Sequence, residues 1–196
     1  MIRALAAAAL ALAVAGCDPG ARTSPFKGID ITGSGVQASA TPLVDGEGRP
    51  RTLADFRGKA VLVIFGYTHC PDVCPTSLAD AAKALKALGN DASRVQVVFV
   101  SVDPKRDTPA LLREYVTAFR PDFVGLTGSR EALAQFTRDF KVYANVEESD
   151  DPSKYKVEHS GQMVVLDPKG QPRLMFAPGM ASADMASDLK VLLDNA

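Results

Sequence analysis

Two short stretches of the chain are nearly unbroken runs of β-branched and apolar residues: Val61–Phe65 (Val-Leu-Val-Ile-Phe) and Gln96–Val102 (Gln-Val-Val-Phe-Val-Ser-Val). Strands buried on both faces read this way, because neither face needs a polar position. Between them, Leu78, Ala81, Ala82, Leu85 and Leu88 recur at helical spacing, and Gly89 stands where a C-terminal cap belongs. Strand, helix, strand in that order implies a right-handed parallel crossover. A second helix is signalled by Thr108 as N-cap, Pro109 at the first helical position, and Leu112, Tyr115, Val116 and Phe119 on one face. A third starts near Ser129 and carries Leu133, Phe136 and Phe140 inward. Met163–Leu166 and Arg173–Phe176 flank Asp167-Pro168-Lys169-Gly170, a hairpin with its turn residues in place. The last helix faces inward with Met185, Leu189, Leu192 and Leu193. An earlier hairpin near Leu43–Leu53 turns at Asp45-Gly46-Glu47-Gly48.

Two parallel strands, an antiparallel hairpin and a closing helix are the order of a thioredoxin-like domain. The expected fold is therefore α/β, a central mixed sheet flanked by helices and preceded by an N-terminal hairpin. The 196 residues suffice for one such domain and a leader. With 46% hydrophobic and 23% charged residues, the balance is that of a folded globular chain. Lys and Arg number 22 against 23 Asp and Glu, so the net charge is −1. That near-neutrality excludes a protein that coats nucleic acid, whose affinity needs many cations on phosphates.

The first segment reads as an address. Arg3 is followed by a run from Ala4 to Gly16 with no polar side chain. At about 1.5 Å per residue that run reaches roughly 20 Å, short of the ~30 Å hydrocarbon core, so it suits a secretory leader better than a spanning helix. Val14-Ala15-Gly16-Cys17 resembles a bacterial lipobox, which implies cleavage before Cys17 and lipid on that residue. Asp18, by similarity to enterobacterial lipoproteins, implies retention at the inner membrane. The expected organisation is a lipoprotein signal peptide over 1–16, a Gly/Ser/Thr/Pro-rich membrane tether over 17–40 that becomes ordered near Phe26–Ile31, and the domain over 41–196.

Chemistry has few residues to work with: three cysteines (Cys17, Cys70, Cys74) and two histidines (His69, His159). Cys70 and Cys74 lie in Gly66-Tyr67-Thr68-His69-Cys70-Pro71-Asp72-Val73-Cys74-Pro75, after a buried strand and at the start of a helix. The positive end of the helix dipole stabilises a thiolate there. Two thiols four residues apart can point at one ion or close a small disulfide. As a purely structural clip so short a loop removes little unfolded-state entropy, which favours redox or metal chemistry. His69 adjoins Cys70 at a strand end and reads as a loop residue. His159 precedes the Met163–Leu166 strand, in the loop that faces the cysteine turn of a thioredoxin-like fold, where thioredoxins place a cis proline. A histidine there completes a three-coordinate S,S,N site suited to copper.

The stretches Gly66–Pro75 (GYTHCPDVCP), Val98–Pro109 (VFVSVDPKRDTP), Pro121–Ser129 (PDFVGLTGS) and Glu158–Ser160 closely resemble the Sco/SenC family of copper-binding assembly factors. The resemblance runs from about Phe26 to the C-terminus. It implies a thioredoxin-like fold facing the periplasm from a membrane tether, with copper, as Cu(I) or Cu(II), held by Cys70, Cys74 and His159. It also implies a part in assembling the CuA centre of cytochrome c oxidase, with a CuA-bearing subunit as acceptor and a thiol reductase or copper donor upstream. Where the family often has aspartate before its histidine, this chain has Glu158.

The function expected is a lipid-anchored metallochaperone, monomeric and not an enzyme. The alternative is a thiol–disulfide oxidoreductase or thiol peroxidase using Cys70 and Cys74 as a redox pair. The Cys-x-x-x-Cys spacing, the absence of a proline between Ser153 and Asp167 and the presence of His159 all favour copper. Asp72 reads as a solvated turn residue, Asp103–Pro109 as a capped loop at a strand end, and Glu147, Glu148, Asp150 and Asp151 as a solvated acidic run.

Overall fold

A computed structural model describes residues 24–151 and 154–195. In chain order the strands are β1 (Ile29–Asp30), β2 (Leu43–Asp45), β3 (Pro50–Arg51), β4 (Ala60–Gly66), β5 (Val95–Ser101), β6 (Val124–Thr127), β7 (Ala144–Glu147), β8 (Lys156–His159), β9 (Met163–Leu166) and β10 (Pro172–Phe176). The helices are α1 (Val73–Leu88), α2 (Pro109–Thr117), α3 (Arg130–Asp139) and α4 (Ser182–Asp194). Eight strands form one sheet in the order β1-β10-β9-β4-β5-β6-β2-β3, while β7 and β8 pair only with each other. β4, β5 and β6 run parallel and β9 runs antiparallel to β4, so the sheet is mixed. This is the thioredoxin-like arrangement that the sequence pattern predicts.

The unbroken apolar run of β4 divides by side-chain alternation. Ala60, Leu62 and Ile64 join one core layer with Leu78 and Leu85 of α1 and Leu189 and Leu192 of α4. Val61, Val63 and Phe65 join the opposite layer with Leu133 and Phe136 of α3 and with Phe140. Each such side chain is worth ~1.5–3 kcal/mol when fully buried. β4 is thereby packed on both sides up to its C-terminal end, where the cysteine loop departs.

Local signals behave as read. Thr108 accepts the Leu111 N–H and Ser129 the Ala132 N–H, capping α2 and α3. Gly89 follows α1 with φ 59, the left-handed conformation glycine tolerates.

Two features depart from expectation. A third parallel strand, β6, was hidden because its four residues include Gly125, which faces the Leu112 side chain with no room for a Cβ without displacement. Phe119 packs on the core but lies beyond the end of α2. Within 17–40, the segment expected to become ordered near Phe26–Ile31 packs on the domain: β1 pairs with β10, and the wholly buried Asp188 of α4 accepts the Lys27 and Gly28 N–H groups at 2.8 and 2.7 Å. That buried carboxylate ties the segment down by satisfying two backbone donors at once. The expected leader, with Cys17, lies outside the described residues. Among the described residues no helix is long and apolar enough to cross a membrane.

Candidate metal centre

Cys70, Cys74 and His159 come together although 85 residues separate the last two: one ligand atom from each lies within 4.8 Å of the others. Both cysteines are free thiols. Three elements deliver them. β4 ends at Gly66 beside the thiols, the connecting loop carries Cys70, and the first turn of α1 carries Cys74. Contrary to expectation, His159 does not sit in a loop. It is the last residue of β8, in the hairpin set apart from the main sheet.

The thiols are not equivalent. Cys74 is 1% exposed. Burial, and then the bond with Cys70, push its thiol far up the pH scale, against a smaller opposing pull from the Tyr67 backbone. Partial burial also pushes Cys70 up, but the backbone N–H groups of Asp72, Cys74 and Val73 and the Cys74 thiol together outweigh it, so the Cys70 thiol lies below its ordinary value. Its sulfur thus caps the open start of α1. Cys70 is therefore the more acidic thiol of the pair and Cys74 the more firmly protonated one.

This asymmetry has a direct chemical consequence. Iodoacetamide at neutral pH is expected to modify Cys70 and spare Cys74, with the Cys70 rate reaching half its plateau below pH 9.0, the reference value for a thiol. Mass spectrometry after quenching reads the site of modification. Equal labelling of the two cysteines would contradict the assignment.

His159 is oriented for coordination. Its Nδ1 lies 3.0 Å from the Ser160 carbonyl oxygen, which can only accept, so Nδ1 carries the proton. Nε2 therefore presents its lone pair to the Cys74 thiol, with Sγ 3.6 Å away. The Tyr67 ring meets the imidazole edge-on, with centroids 5.9 Å apart. A three-coordinate ion with bonds of about 2.3 Å to sulfur and 2.0 Å to nitrogen needs its donors roughly 3.7–4 Å apart. The cluster is close to that spacing as it stands. Two soft sulfurs with one borderline imidazole nitrogen fit copper better than calcium or magnesium.

The remaining residues singled out in the sequence sort plainly. His69 stays outside the cluster, exposed, with Nδ1 3.0 Å from Thr68 Oγ1. Asp72 is the exposed residue before α1 and receives Thr76 Oγ1 at 3.4 Å. Glu158 alternates away from His159 along β8, and its carboxylate lies 3.5 Å from the Tyr143 hydroxyl. The acidic run is exposed as read, with Glu147 ending β7 and Glu148 forming surface pairs with Arg130 and Lys105. Sequence reasoning passed over Gly66, Tyr67 and Tyr155. Of these only Gly66, a glycine ending a buried strand, carried a signal for close backbone approach.

A mixed sheet with a Cys-Cys-His cluster at the end of its central strand defines a thioredoxin-like domain built around a soft-metal or thiol site. A sequence model of the SCO1/SenC family matches residues 35–194, so the chain belongs to that family. The mitochondrial SCO2 homolog of Mus musculus is 43% identical over 130 residues, which cover 65% of this chain and 51% of that protein. The chain thus spans about half the length of the curated relatives it matches first. Among solved structures, ScoI of Bradyrhizobium japonicum with copper bound is 37% identical with a TM-score of 0.72, the match covering 80% of this chain and 99% of that one. The apo Sco1 of Thermus thermophilus is also 37% identical, with a TM-score of 0.77 and coverage of 86% and 97%.

Proposed function

We propose that this protein is a copper carrier that holds one copper ion on Cys70, Cys74 and His159 and passes it on during assembly of the CuA centre of cytochrome c oxidase. The observation that carries this reading is the convergence of two sulfurs and an aimed imidazole nitrogen within 4.8 Å. Copper is cargo here rather than a resident cofactor. Three donors leave one side of the ion open, and an acceptor thiolate can enter there before the carrier's own ligands depart. The carrier works from the periplasmic face of a bacterial inner membrane, anchored by lipid on Cys17, and receives copper or reducing equivalents from an upstream partner.

The test is an anaerobic Cu(I) titration of the reduced protein against a chromogenic chelator, with His159→Ala alongside. The parent is expected to retain one equivalent. His159→Ala is expected to lose more than about 100-fold in affinity, beyond the ~10–100-fold typical of losing a mere outer partner of a ligand. Binding indifferent to His159 would overturn the reading.

One observation favours a second reading, a thiol–disulfide oxidoreductase: a half-buried, more acidic Cys70 thiol backed by a buried Cys74 thiol. In that chemistry Cys70 attacks a target disulfide and displaces one target thiolate. Cys74, losing its proton, then attacks the mixed disulfide, which releases the reduced dithiol and leaves Cys70–Cys74 oxidised. Preparing the acceptor's cysteines in this way and delivering copper to them use the same two sulfurs.

A further inference from the structure

The ligands reach the site on two separate pieces of the fold. The cysteines belong to the main body, whereas His159 belongs to the β7–β8 hairpin, which shares no strand pairing with the eight-stranded sheet. Something must hold the hairpin in register with the cysteine loop, and the Asp103–Pro109 loop between β5 and α2 grips both pieces.

One grip is on the cysteine side. Asp107, wholly buried, accepts the Thr68 N–H at 3.0 Å and the Thr68 hydroxyl at 2.6 Å, and a third bond comes from Ser101 Oγ at 2.6 Å. Thr68 stands two residues before Cys70. The other grip is on the histidine side. Asp103, also wholly buried, accepts the Tyr155 hydroxyl at 2.6 Å on one oxygen and Arg106 Nε at 2.5 Å on the other. The Arg106 guanidinium lies 4.0 Å from the centre of the Tyr155 ring and 5.6 Å from that of Tyr67, whose own ring touches His159. Tyr155 stands four residues before His159, at the root of β8. Charge-assisted bonds to a buried carboxylate and a stacked guanidinium are among the firmer polar contacts a loop can make.

We propose that Asp103, Arg106 and Tyr155 form a latch that seats the β7–β8 hairpin, and that Tyr155 acts as a positioning residue setting how well His159 engages metal. The inference rests on the reading of Cys70, Cys74 and His159 as a copper site. When the latch is closed, the imidazole is held over the thiols before metal arrives, so binding meets little ordering cost. When it opens, the hairpin swings on its connecting residues, carries His159 off, and leaves a two-sulfur site.

Tyr155→Phe removes the hydroxyl and keeps the ring on Arg106. In the anaerobic Cu(I) competition it is expected to weaken binding roughly 10- to 100-fold, the usual range for an outer partner of a metal ligand. In the His159→Ala background the same change is expected to have no further effect, because the latch works only through His159. A metal-free measurement runs beside it: hydrogen exchange of the Val157–His159 amides is expected to speed up in Tyr155→Phe, while exchange in β9 stays at the parental rate and certifies the fold. Parental affinity in Tyr155→Phe, or an equal loss with and without His159, overturns the proposal. So does unchanged exchange in β8. If His159→Ala itself leaves copper binding untouched, the copper reading falls, and the exchange measurement alone then decides whether the latch exists.

Discussion

Cys74→Ser is expected to abolish tight Cu(I) binding while leaving a folded protein. The sulfur is buried, hydrogen-bonded to His159 Nε2 at 3.6 Å, and one of the three donors that lie within 4.8 Å of one another. Serine offers an oxygen that stays protonated and is hard where copper(I) wants soft ligands. Its hydroxyl, in a site that already holds an imidazole acceptor, avoids most of the ~1–3 kcal/mol cost of an unpaired buried polar group. Competition with a chromogenic chelator should show no equivalent retained, against one in the parent. The same site predicts a pH slope with a definite sign. Metal needs both thiolates, but only Cys74 is held strongly protonated in the metal-free fold, so binding expels its proton. Apparent affinity should therefore rise about tenfold per pH unit above the Cys70 midpoint, since each pH unit makes that proton about tenfold easier to remove. In Cys74→Ser this slope disappears with the binding. A serine variant that still holds one equivalent tightly would remove Cys74 from the site.

The strands that were legible in the sequence are those whose burial is two-sided. β4 and β5 are written as apolar runs because both faces meet a core layer, and the caps at Thr108, Ser129 and Gly89 announce the helices between them. β6 and the β7–β8 hairpin were not legible, for different reasons. β6 has only four residues, and its Gly125 answers to Leu112, a contact made through space that no local pattern encodes. β7 and β8 lie off the sheet, half-exposed and polar, so Lys156-Val157-Glu158-His159 has the composition of a loop and becomes a strand only by pairing with Ala144–Glu147.

The site divides in the same way. Cys70 and Cys74 could be placed from spacing alone, since a strand end followed by a helix start fixes where both thiols point. That His159 would face them followed from the domain order and the family resemblance, and the structure agrees on the meeting of the three donors while changing the element that supplies it. The Asp103–Pro109 loop was read as a capped rim. Its two buried aspartates in fact reach in opposite directions, to Thr68 and to Tyr155, and a contact list of that kind depends on tertiary packing alone.

Gly66→Ala tests how tightly the main body holds the cysteines. A Cβ at this position would lie 2.5 Å from Cys74 Sγ and 2.9 Å from the Phe99 ring, closer than any real contact. Both neighbours resist displacement. Phe99 is wholly buried in the central strand β5, and Cys74 is pinned by the first turn of α1. Overpacking of this kind typically costs ~1–3 kcal/mol, which for a domain of this size lowers the melting temperature by about 2–4 °C per kcal/mol. The thiol is the smaller obstacle, so it should be the group that shifts, and copper affinity should fall together with stability. His159→Ala separates the two effects, because it removes a donor without crowding the core. The double variant Gly66→Ala/Cys74→Ala makes the cause explicit: deleting the sulfur frees the new methyl group on one side and should recover part of the lost stability, though not the Phe99 share and not copper binding. If Gly66→Ala instead melts like the parent and keeps its copper, the end of β4 is more pliable than its two-sided burial implies, and the spacing of the donors must be set from the hairpin side.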